Sequence, residues 1–180
     1  MRTLVLPEDN DQLTALNAGE LVHLSGTVYT ARDAAHKRMA ALLAEGKPLP
    51  IRLEGAGIYY VGPTPGYGDR VIGSAGPTTS SRMDSYTPQL LDLGLKVMIG
   101  KGRRNEAVKD AIVRNGAVYF VACGGAGALL SHCITGAEPV AFEDLLAEAV
   151  VKLTLKDFPV FVGIDARGTD IYEMRDACKC

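Results

Sequence analysis

Hydroxyl-bearing and cationic side chains are concentrated in one short stretch of the sequence. Residues 73–84 pass through a Gly-Pro turn and then present two threonines, two serines and Arg82. Apolar residues recur at near-helical spacing after this stretch, which predicts a helix that begins around Thr79 or Ser80. A helix N-terminus directs free N–H groups and the positive end of its dipole toward whatever lies in front of it. Because the dipole disfavours a cation in the first turn, Arg82 indicates an anion-binding pocket there; the alternative is a capped helix with a surface arginine.

Two other cationic side chains stand in comparable positions. Arg32 and Lys101 each follow a predicted strand, next to turn residues. If these strands are neighbours, both side chains meet Arg82 in one small cleft. An arginine can bind a carboxylate through two parallel hydrogen bonds, whereas a lysine supplies a point charge. The three cations therefore predict a small dianionic ligand. Further hydroxyl and N–H groups at the same place would come from Thr78, Thr79, Ser80 and Ser81.

Other catalytic arrangements are not apparent in the sequence. It shows no Ser-His-Asp order, no pair of catalytic carboxylates and no metal-ligand set. His36 occurs on the polar face of a predicted helix, partly exposed, where a bystander role is favoured over acid–base catalysis. Residues 124–127 have the glycines but not the lysine and hydroxyl residue of a phosphate-binding loop, so a tight turn is favoured. The three cations thus look like half of an active site.

The four cysteines do not form a recognisable metal motif. They show neither a CxxC pair nor a zinc-ribbon spacing. Cys123 and Cys133 lie in apolar or glycine-rich surroundings and are expected to be buried thiols. Cys178 and Cys180 are expected to belong to a free C-terminal tail. We therefore expect no metal or cluster to be bound by this chain alone.

The composition fits one ordinary globular domain. The chain has 180 residues, of which 47% are hydrophobic and 22% charged, so a normal core can form. The net charge of -2 gives no general attraction to nucleic acid or to anionic membranes. No apolar run approaches membrane-spanning length and the first residues lack the pattern of a signal peptide, so a cytoplasmic protein is expected.

Strand and helix patterns alternate over residues 96–130, which is typical of a parallel α/β layer. Residues 3–16 are expected to form a short strand followed by a poorly packed turn, and residues 170–173 to return as a strand. Other strands are predicted at 21–30, 58–63, 70–74, 96–100, 117–122, 150–155 and 158–165, and helices at 34–45 and 106–115. The strands at 58–63 and 70–74 are expected to pair as a hairpin.

Several motifs carry a resemblance to a known family. They are GTVYTARDAAH at residues 26–36, GPTTSSRMDSY at 76–86, Lys101-Gly102, Cys123-Gly124-Gly125 and KDFPVF at 156–161. With these motifs the sequence resembles the C-terminal catalytic domain of class I iron–sulfur fumarases, which is also the β subunit of two-chain fumarases and of L-tartrate dehydratase. The resemblance divides the chain into an N-terminal extension (1–20), a catalytic domain (21–175) and a C-terminal tail (176–180).

The resemblance implies both a fold and a reaction. The fold is α/β, a swivelling β/β/α domain in which a mixed sheet has flanking helices. The reaction is the reversible hydration of fumarate to L-malate. A [4Fe-4S] cluster would be bound by three cysteines of a partner α subunit and not by this chain, in an α2β2 assembly. The site residues carried over by motif are Arg32, Arg82 and Lys101 for the substrate carboxylates, Thr78 as the base and Thr79 in the same pocket.

Two alternatives stay open from the sequence. The first is an L-tartrate dehydratase β subunit, because fumarate, tartrate and mesaconate differ by only one hydroxyl or methyl group. The run Arg-Met-Asp-Ser-Tyr at 82–86 resembles fumarases more, so fumarate is favoured. The second alternative is a non-catalytic module that binds small dicarboxylates, which intact site residues argue against.

Overall fold

The computed structural model describes residues 2–178 as nine strands and five α-helices, with short 3-10 helices between them. The strands are β1 (Arg2–Leu6), β2 (Leu21–Thr30), β3 (Gly57–Tyr59), β4 (Thr64–Pro65), β5 (Ile72–Ser74), β6 (Val97–Gly100), β7 (Val118–Val121), β8 (Ile134–Ala141) and β9 (Val150–Ile164). The α-helices are α1 (Asp33–Ala44), α2 (Thr87–Asp92), α3 (Glu106–Asn115), α4 (Gly127–Leu130) and α5 (Ile171–Ala177). The 3-10 helices are Asn10–Ala15, Ser80–Met83, Ser131–Cys133 and Glu143–Glu148.

The main sheet has seven strands and closes on itself. Its order is β1-β2-β3-β6-β7-β9-β8, and an additional pairing between β2 and β9 completes a ring. Strands β2, β3, β6 and β7 run parallel, whereas β9 is antiparallel to both β2 and β7. The sheet is therefore mixed, and helices flank it. The predicted α/β class with a mixed sheet and flanking helices is confirmed.

Successive side chains of the central strands belong alternately to two hydrophobic clusters. In β6, Val97 and Ile99 belong to one hydrophobic cluster and Met98 to the other. In β7, Phe120 belongs to the first and Tyr119 to the second. Successive side chains of a strand point to opposite faces, so one cluster fills the inside of the ring and the other lies under the helices. The buried sides of α1, α2 and α3 complete the outer cluster.

The N-terminal segment is part of the main core. Strand β1 pairs with β2, and Leu4, Leu6, Leu13 and Leu16 are almost completely buried in the inner cluster. The expectation of a poorly packed turn before residue 16 is therefore wrong, because the 3-10 helix there contributes its leucines to the core. Gly26 explains how β1 approaches so closely: its φ is +93°, and a Cβ atom at this position would lie 2.2 Å from the Leu6 carbonyl oxygen.

Four local predictions differ from the structure. The hairpin pairs β4 with β5, while residues 57–59 belong to the main sheet instead. Residues 150–164 form one long strand, and residues 171–177 form a helix rather than a returning strand. The turn after Gly76-Pro77 opens a 3-10 helix, and the α-helix begins only at Thr87. Of the predicted tail, Cys180 lies outside the described residues.

No helix within residues 2–178 is both long enough and apolar enough to cross a bilayer.

Candidate functional site

The predicted site residues follow the carboxyl ends of parallel strands. Arg32 follows β2, and Lys101 follows β6, which is separated from β2 by β3 alone. Thr78, Thr79 and Arg82 come from the segment between β5 and α2, which crosses this same end of the sheet. Side chains from different parallel strands meet at this edge, which is where α/β proteins commonly bind ligands.

Arg32 lies at the start of α1 with its side chain only 24% exposed. One Nη atom is 3.3 Å from a carboxylate oxygen of Glu148, and its Nε is 3.9 Å from a carboxylate oxygen of Asp33. The Nε atom is buried and has no hydrogen-bond partner among residues 2–178. A buried charged donor without an acceptor is costly, and the Asp33 oxygen at 3.9 Å is too distant to accept from it. A ligand can reach only the exposed quarter of the Arg32 side chain.

Arg82 extends from the 3-10 helix Ser80–Met83 toward the same helix end. Its Nε donates a 2.8 Å hydrogen bond to Oδ1 of Asp33, and its side chain is half exposed. Within residues 2–178 its two Nη groups have no further hydrogen bond. Asp33 therefore links Arg82 to the neighbourhood of Arg32, and the terminal edge of the Arg82 guanidinium remains available to a ligand.

The backbone of Lys101 is hydrogen-bonded to the segment that contains Thr78 and Thr79. Thr79 and Lys101 form a parallel β-bridge, and the Ser80 N–H donates to the Lys101 carbonyl oxygen at 2.9 Å. The Thr78 N–H donates to the Tyr60 carbonyl oxygen at 2.7 Å. No ion pair or side-chain hydrogen bond involves the Lys101 ammonium in the part of the chain that is described. All five predicted site residues therefore lie on adjoining segments at one end of the sheet.

A chain of buried hydroxyl groups supports Lys101. The Lys101 N–H donates to Ser80 Oγ at 3.0 Å, and Ser80 Oγ lies 2.9 Å from the Tyr119 hydroxyl. The Tyr119 hydroxyl donates in turn to the Gly102 carbonyl oxygen at 2.9 Å. Burial raises the pKa of Tyr119, so this hydroxyl stays protonated. The backbone on both sides of Lys101 is thereby fixed.

A buried ion pair between Asp84 and Arg104 holds the end of the 3-10 helix that carries Arg82. The Nε of Arg104 donates to Oδ1 of Asp84 at 2.6 Å, and an Nη donates to the Thr87 hydroxyl at 2.8 Å. The second Asp84 oxygen accepts from the Asn105 N–H at 2.8 Å. The guanidinium of Arg104 also lies over the ring of Tyr60. Asp84 follows Arg82 by two residues, so this network fixes the 3-10 helix from which Arg82 extends.

His36 is buried against the site, not partly exposed as predicted. Its relative exposure is 1%, and its Nδ1 lies 2.9 Å from the Arg32 carbonyl oxygen. Because a carbonyl oxygen only accepts, Nδ1 carries the proton and the buried Nε2 is left without a donor among the described residues. Burial lowers the pKa of His36 to about 4, against the smaller opposing effect of the Arg32 hydrogen bond. The imidazole is therefore neutral at pH 7.

The sequence interpretation missed three acidic residues and one arginine around the site. A signal was present, since each predicted arginine has a carboxylate within two residues of it. What these side chains contact depends on distant segments, which the local pattern does not reveal. The missed residues are Asp33, Asp84, Arg104 and Glu148.

The three described cysteines, Cys123, Cys133 and Cys178, form no disulfide. Cys123 is exposed, which corrects the expectation of a buried thiol, and Cys133 is half-buried. Burial raises the pKa of the Cys133 thiol. Nowhere in residues 2–178 do three His, Cys, Asp or Glu side chains come together as a metal-binding group. Gly125 has a φ of +81°, as a tight turn requires, and Gly124 lies beside the Lys101 side chain.

The arrangement of this site can be compared with known proteins. A family model described as the fumarase C-terminus matches residues 2–175. The chain belongs to this family. The match includes β1 and the 3-10 helix after it, in agreement with their place in the core.

Individual relatives are more than a third identical to the chain over the residues that align with it. Fumarate hydratase 2 of Leishmania major is 37% identical over 163 residues, which cover 89% of this chain and 29% of that protein. The anaerobic class I fumarate hydratase of Escherichia coli is 37% identical over 164 residues, covering 90% of this chain and 30% of that protein. The chain thus spans less than a third of the length of these relatives.

One relative has a similar length. A Methanocaldococcus jannaschii protein, named as an L(+)-tartrate dehydratase subunit beta, is 36% identical over 164 residues. The match covers 88% of this chain and 84% of that protein.

Proposed function

We propose that this chain is the β subunit of a two-chain class I fumarate hydratase. It would bind the carboxylates of fumarate and L-malate through Arg32, Arg82 and Lys101. The observation that supports the proposal is that the three cations lie on adjoining segments at one end of the sheet, and that the Nη groups of Arg82 and the Lys101 ammonium have no hydrogen-bond partner within residues 2–178. Two arginines and a lysine around one small space suit a doubly charged four-carbon acid.

The chemistry proposed for these residues is electrostatic. Removal of a proton next to a carboxylate places a second negative charge on that carboxylate. Guanidinium and ammonium groups that are already oriented stabilise this charge without reorganisation, and their effect grows as water is excluded. We assign this role to Arg82 and Arg32, whose guanidiniums approach the same carboxylate of Asp33.

Thr78 is the proposed base. Its N–H is bound to the Tyr60 carbonyl oxygen, so its backbone position is fixed. Its hydroxyl has no hydrogen-bond partner within residues 2–178 and can therefore turn toward a substrate. An alcohol is a poor base at neutral pH, so Thr78 requires the nearby cations to lower the pKa of its hydroxyl. Thr79, which is bridged to Lys101, would line the same pocket.

The partner in this proposal is an α subunit that binds a [4Fe-4S] cluster, in an α2β2 assembly. The likeness to a protein named as an L(+)-tartrate dehydratase subunit beta supports it, because a β subunit implies a partner subunit. In this proposal the cysteine ligands of the cluster belong to the partner and not to this chain. When bound, such a cluster supplies a Lewis acid that helps the substrate hydroxyl leave.

The second candidate is an L-tartrate dehydratase β subunit. The match to the Methanocaldococcus jannaschii protein over 84% of that protein's length favours it. The same cations would bind tartrate, since it is also a four-carbon acid with a carboxylate at each end. The two candidates differ in the substrate alone.

Reconstitution tests the proposal. The chain would be combined under anaerobic conditions with an α subunit from the same organism, and activity measured with fumarate, tartrate and mesaconate. We expect hydration of fumarate by the pair and no activity from either chain alone. Faster dehydration of tartrate would instead support the second candidate. A cluster-loaded pair that acts on none of the three substrates would contradict both.

A further inference from the structure

Asp33 is the first residue of α1 and lies between two of the proposed substrate-binding arginines. Its Oδ1 accepts a 2.8 Å hydrogen bond from Nε of Arg82, which is 49 residues away in sequence. Its Oδ2 is 3.9 Å from Nε of Arg32. One carboxylate thus faces a guanidinium on each side.

The contact with Arg82 determines which edge of its guanidinium is free. A guanidinium offers its five N–H donors on fixed edges, and a partner at Nε leaves the edge formed by the two Nη groups open. That open edge has the geometry for two parallel hydrogen bonds to one carboxylate. Because Asp33 belongs to a helix, the direction of this edge is set by the fold and not by the flexible arginine side chain.

The contact with Arg32 is electrostatic. Oδ2 of Asp33 and Nε of Arg32 are both buried, and neither has a hydrogen-bond partner among residues 2–178. A carboxylate placed between two guanidiniums reduces their mutual repulsion, so both can occupy one small pocket before any substrate arrives. Glu148 contributes similarly: one carboxylate oxygen accepts from the Ala34 N–H at 2.9 Å, and the other lies 3.3 Å from an Nη of Arg32.

We propose that Asp33 is a positioning residue that orients Arg82 through its Nε and Arg32 through charge, so that both guanidiniums face one dicarboxylate. This inference rests on the proposed function, which supplies the substrate. Asp33 itself does not contact the reacting atoms. If Asp33 instead competed with the substrate for Arg82, removal of Asp33 would increase the affinity for the substrate.

Two substitutions test this role in the reconstituted pair. In Asp33→Ala the Nε contact and the charge are both lost, and we expect KM for fumarate to rise by about 10- to 100-fold with a smaller change in kcat. In Asp33→Asn an amide oxygen can still accept from Arg82, so its KM should lie between those of wild type and Asp33→Ala. An unchanged or lowered KM in Asp33→Ala would overturn the proposal, and a lowered KM would identify Asp33 as a competitor.

A matched control comes from the same helix. Arg38 of α1 forms an exposed ion pair with Asp144, with 2.7 Å between Nη1 and Oδ1. Asp144→Ala removes a comparable contact on α1 outside the site and should leave KM within about twofold of wild type. A rise in KM equal to that of Asp33→Ala would show a general effect on α1 and would overturn the positioning role.

An NMR readout separates this inference from the proposed function. In the chain itself, the Nε–H signal of Arg82, identified by its disappearance in Arg82→Lys, should be shifted and protected from exchange in wild type. Asp33→Ala should remove that protection and Asp144→Ala should not. An Nε–H signal unaffected by Asp33→Ala would overturn the Asp33 contact alone. Inactivity of the cluster-loaded wild-type pair would instead overturn the proposed function, whatever the NMR result.

Discussion

Arg82 is half exposed and is oriented by one hydrogen bond. It can therefore be important for activity while contributing little to the stability of the fold. Its side chain is 50% exposed, and its described partner is Asp33. Exposed ion pairs contribute less than about 1 kcal/mol to folding, because solvent screens them. A donor directed at developing negative charge contributes far more to catalysis.

Replacement of Arg82 by alanine should therefore reduce activity without unfolding the protein. We expect Arg82→Ala to lower kcat/KM of the reconstituted pair by about 100- to 1000-fold. The free energy of unfolding should change by less than about 1 kcal/mol, as measured by urea denaturation. Arg114→Ala removes a similarly exposed arginine that pairs with Asp92, and it should leave both quantities nearly unchanged. If Arg82→Ala unfolds, Arg82 is structural and its assignment to the pocket is wrong.

His36 makes the stability of the protein depend on pH. Burial lowers its folded-state pKa to about 4, against an unfolded value of 6.5. Between these values the unfolded chain binds a proton that the folded chain does not, so stability falls as pH falls. The two pKa values correspond to a loss of about 2 kcal/mol between pH 7.5 and pH 5.

The His36 contribution can be measured by urea denaturation across that pH range. His36→Gln should flatten the pH dependence of the unfolding free energy, since glutamine does not titrate. His132→Gln changes an exposed histidine and should keep the wild-type slope. Equal slopes for wild type and His36→Gln would show that His36 is not buried in its neutral form.

The sequence predicted the types of the site residues better than their environments. The positions of Arg32, Arg82 and Lys101 after strands or turns were visible in the pattern. The burial of His36 was not, because the rings of Tyr60 and Tyr86 that contact it come from other segments. An acid next to an arginine in sequence does not show which arginine it will bind.

At the scale of elements, the buried Asp84–Arg104 pair fixes the 3-10 helix that precedes α2. The side chain of Arg104 is fully buried and that of Asp84 is 7% exposed. If one partner is removed, the other remains as an uncompensated charge in the interior. The Asp84 carboxylate also accepts from the backbone that begins α3, so the pair joins two elements.

Asp84→Ala should therefore destabilise the protein by about 3–5 kcal/mol, as measured by urea denaturation. The double variant Asp84→Ala/Arg104→Met should recover much of this loss, because no unpaired charge remains. Asp92→Ala breaks an exposed pair with Arg114 and should cost less than about 1 kcal/mol. Comparable losses for Asp84→Ala and Asp92→Ala would contradict the buried pairing.

Elements with a strong local pattern were predicted well, and those defined by partners were not. Apolar runs predicted β6 and β7, and helical apolar spacing ended by a glycine predicted α3, which is flanked by Asn105 as N-cap and by Gly116 in a left-handed conformation. The pairing of β4 with β5, and the continuation of β9 past residue 155, depend on neighbours instead. Helix α5 is held by contacts with distant segments: the Tyr172 hydroxyl accepts from the Gly102 N–H, Glu173 pairs with Lys109, and Asp176 pairs with Arg103.

At the scale of the whole molecule, the ring is completed by contacts distant in sequence. Strand β9 pairs with β2 from Leu21–Phe161 to Tyr29–Lys152, which joins residues more than 120 positions apart. A local pattern cannot reveal such a pairing, because each strand has the same alternation whichever neighbour it has. The predicted parallel layer was thus correct for β6 and β7 but did not include β2 and β3 or the closure by β9.

The N-terminal segment provides a test of this closed architecture. Leu13 is completely buried in the inner cluster, so Leu13→Ala should cost about 2–5 kcal/mol of unfolding free energy. Leu146→Ala changes a leucine that is 82% exposed and should alter it by less than about 0.5 kcal/mol. Urea denaturation of both variants measures the difference. A Leu13→Ala variant as stable as wild type would show that residues 1–20 are a separable extension.

The central claim is that two arginines and one lysine from three segments bind one four-carbon dianion. The most direct measurement is a crystal structure of the chain with its partner subunit and L-malate. We expect one malate molecule whose carboxylates lie within hydrogen-bonding distance of the Arg82 Nη groups, the Arg32 guanidinium and the Lys101 Nζ. Malate bound elsewhere, with these donors free of it, would contradict the claim.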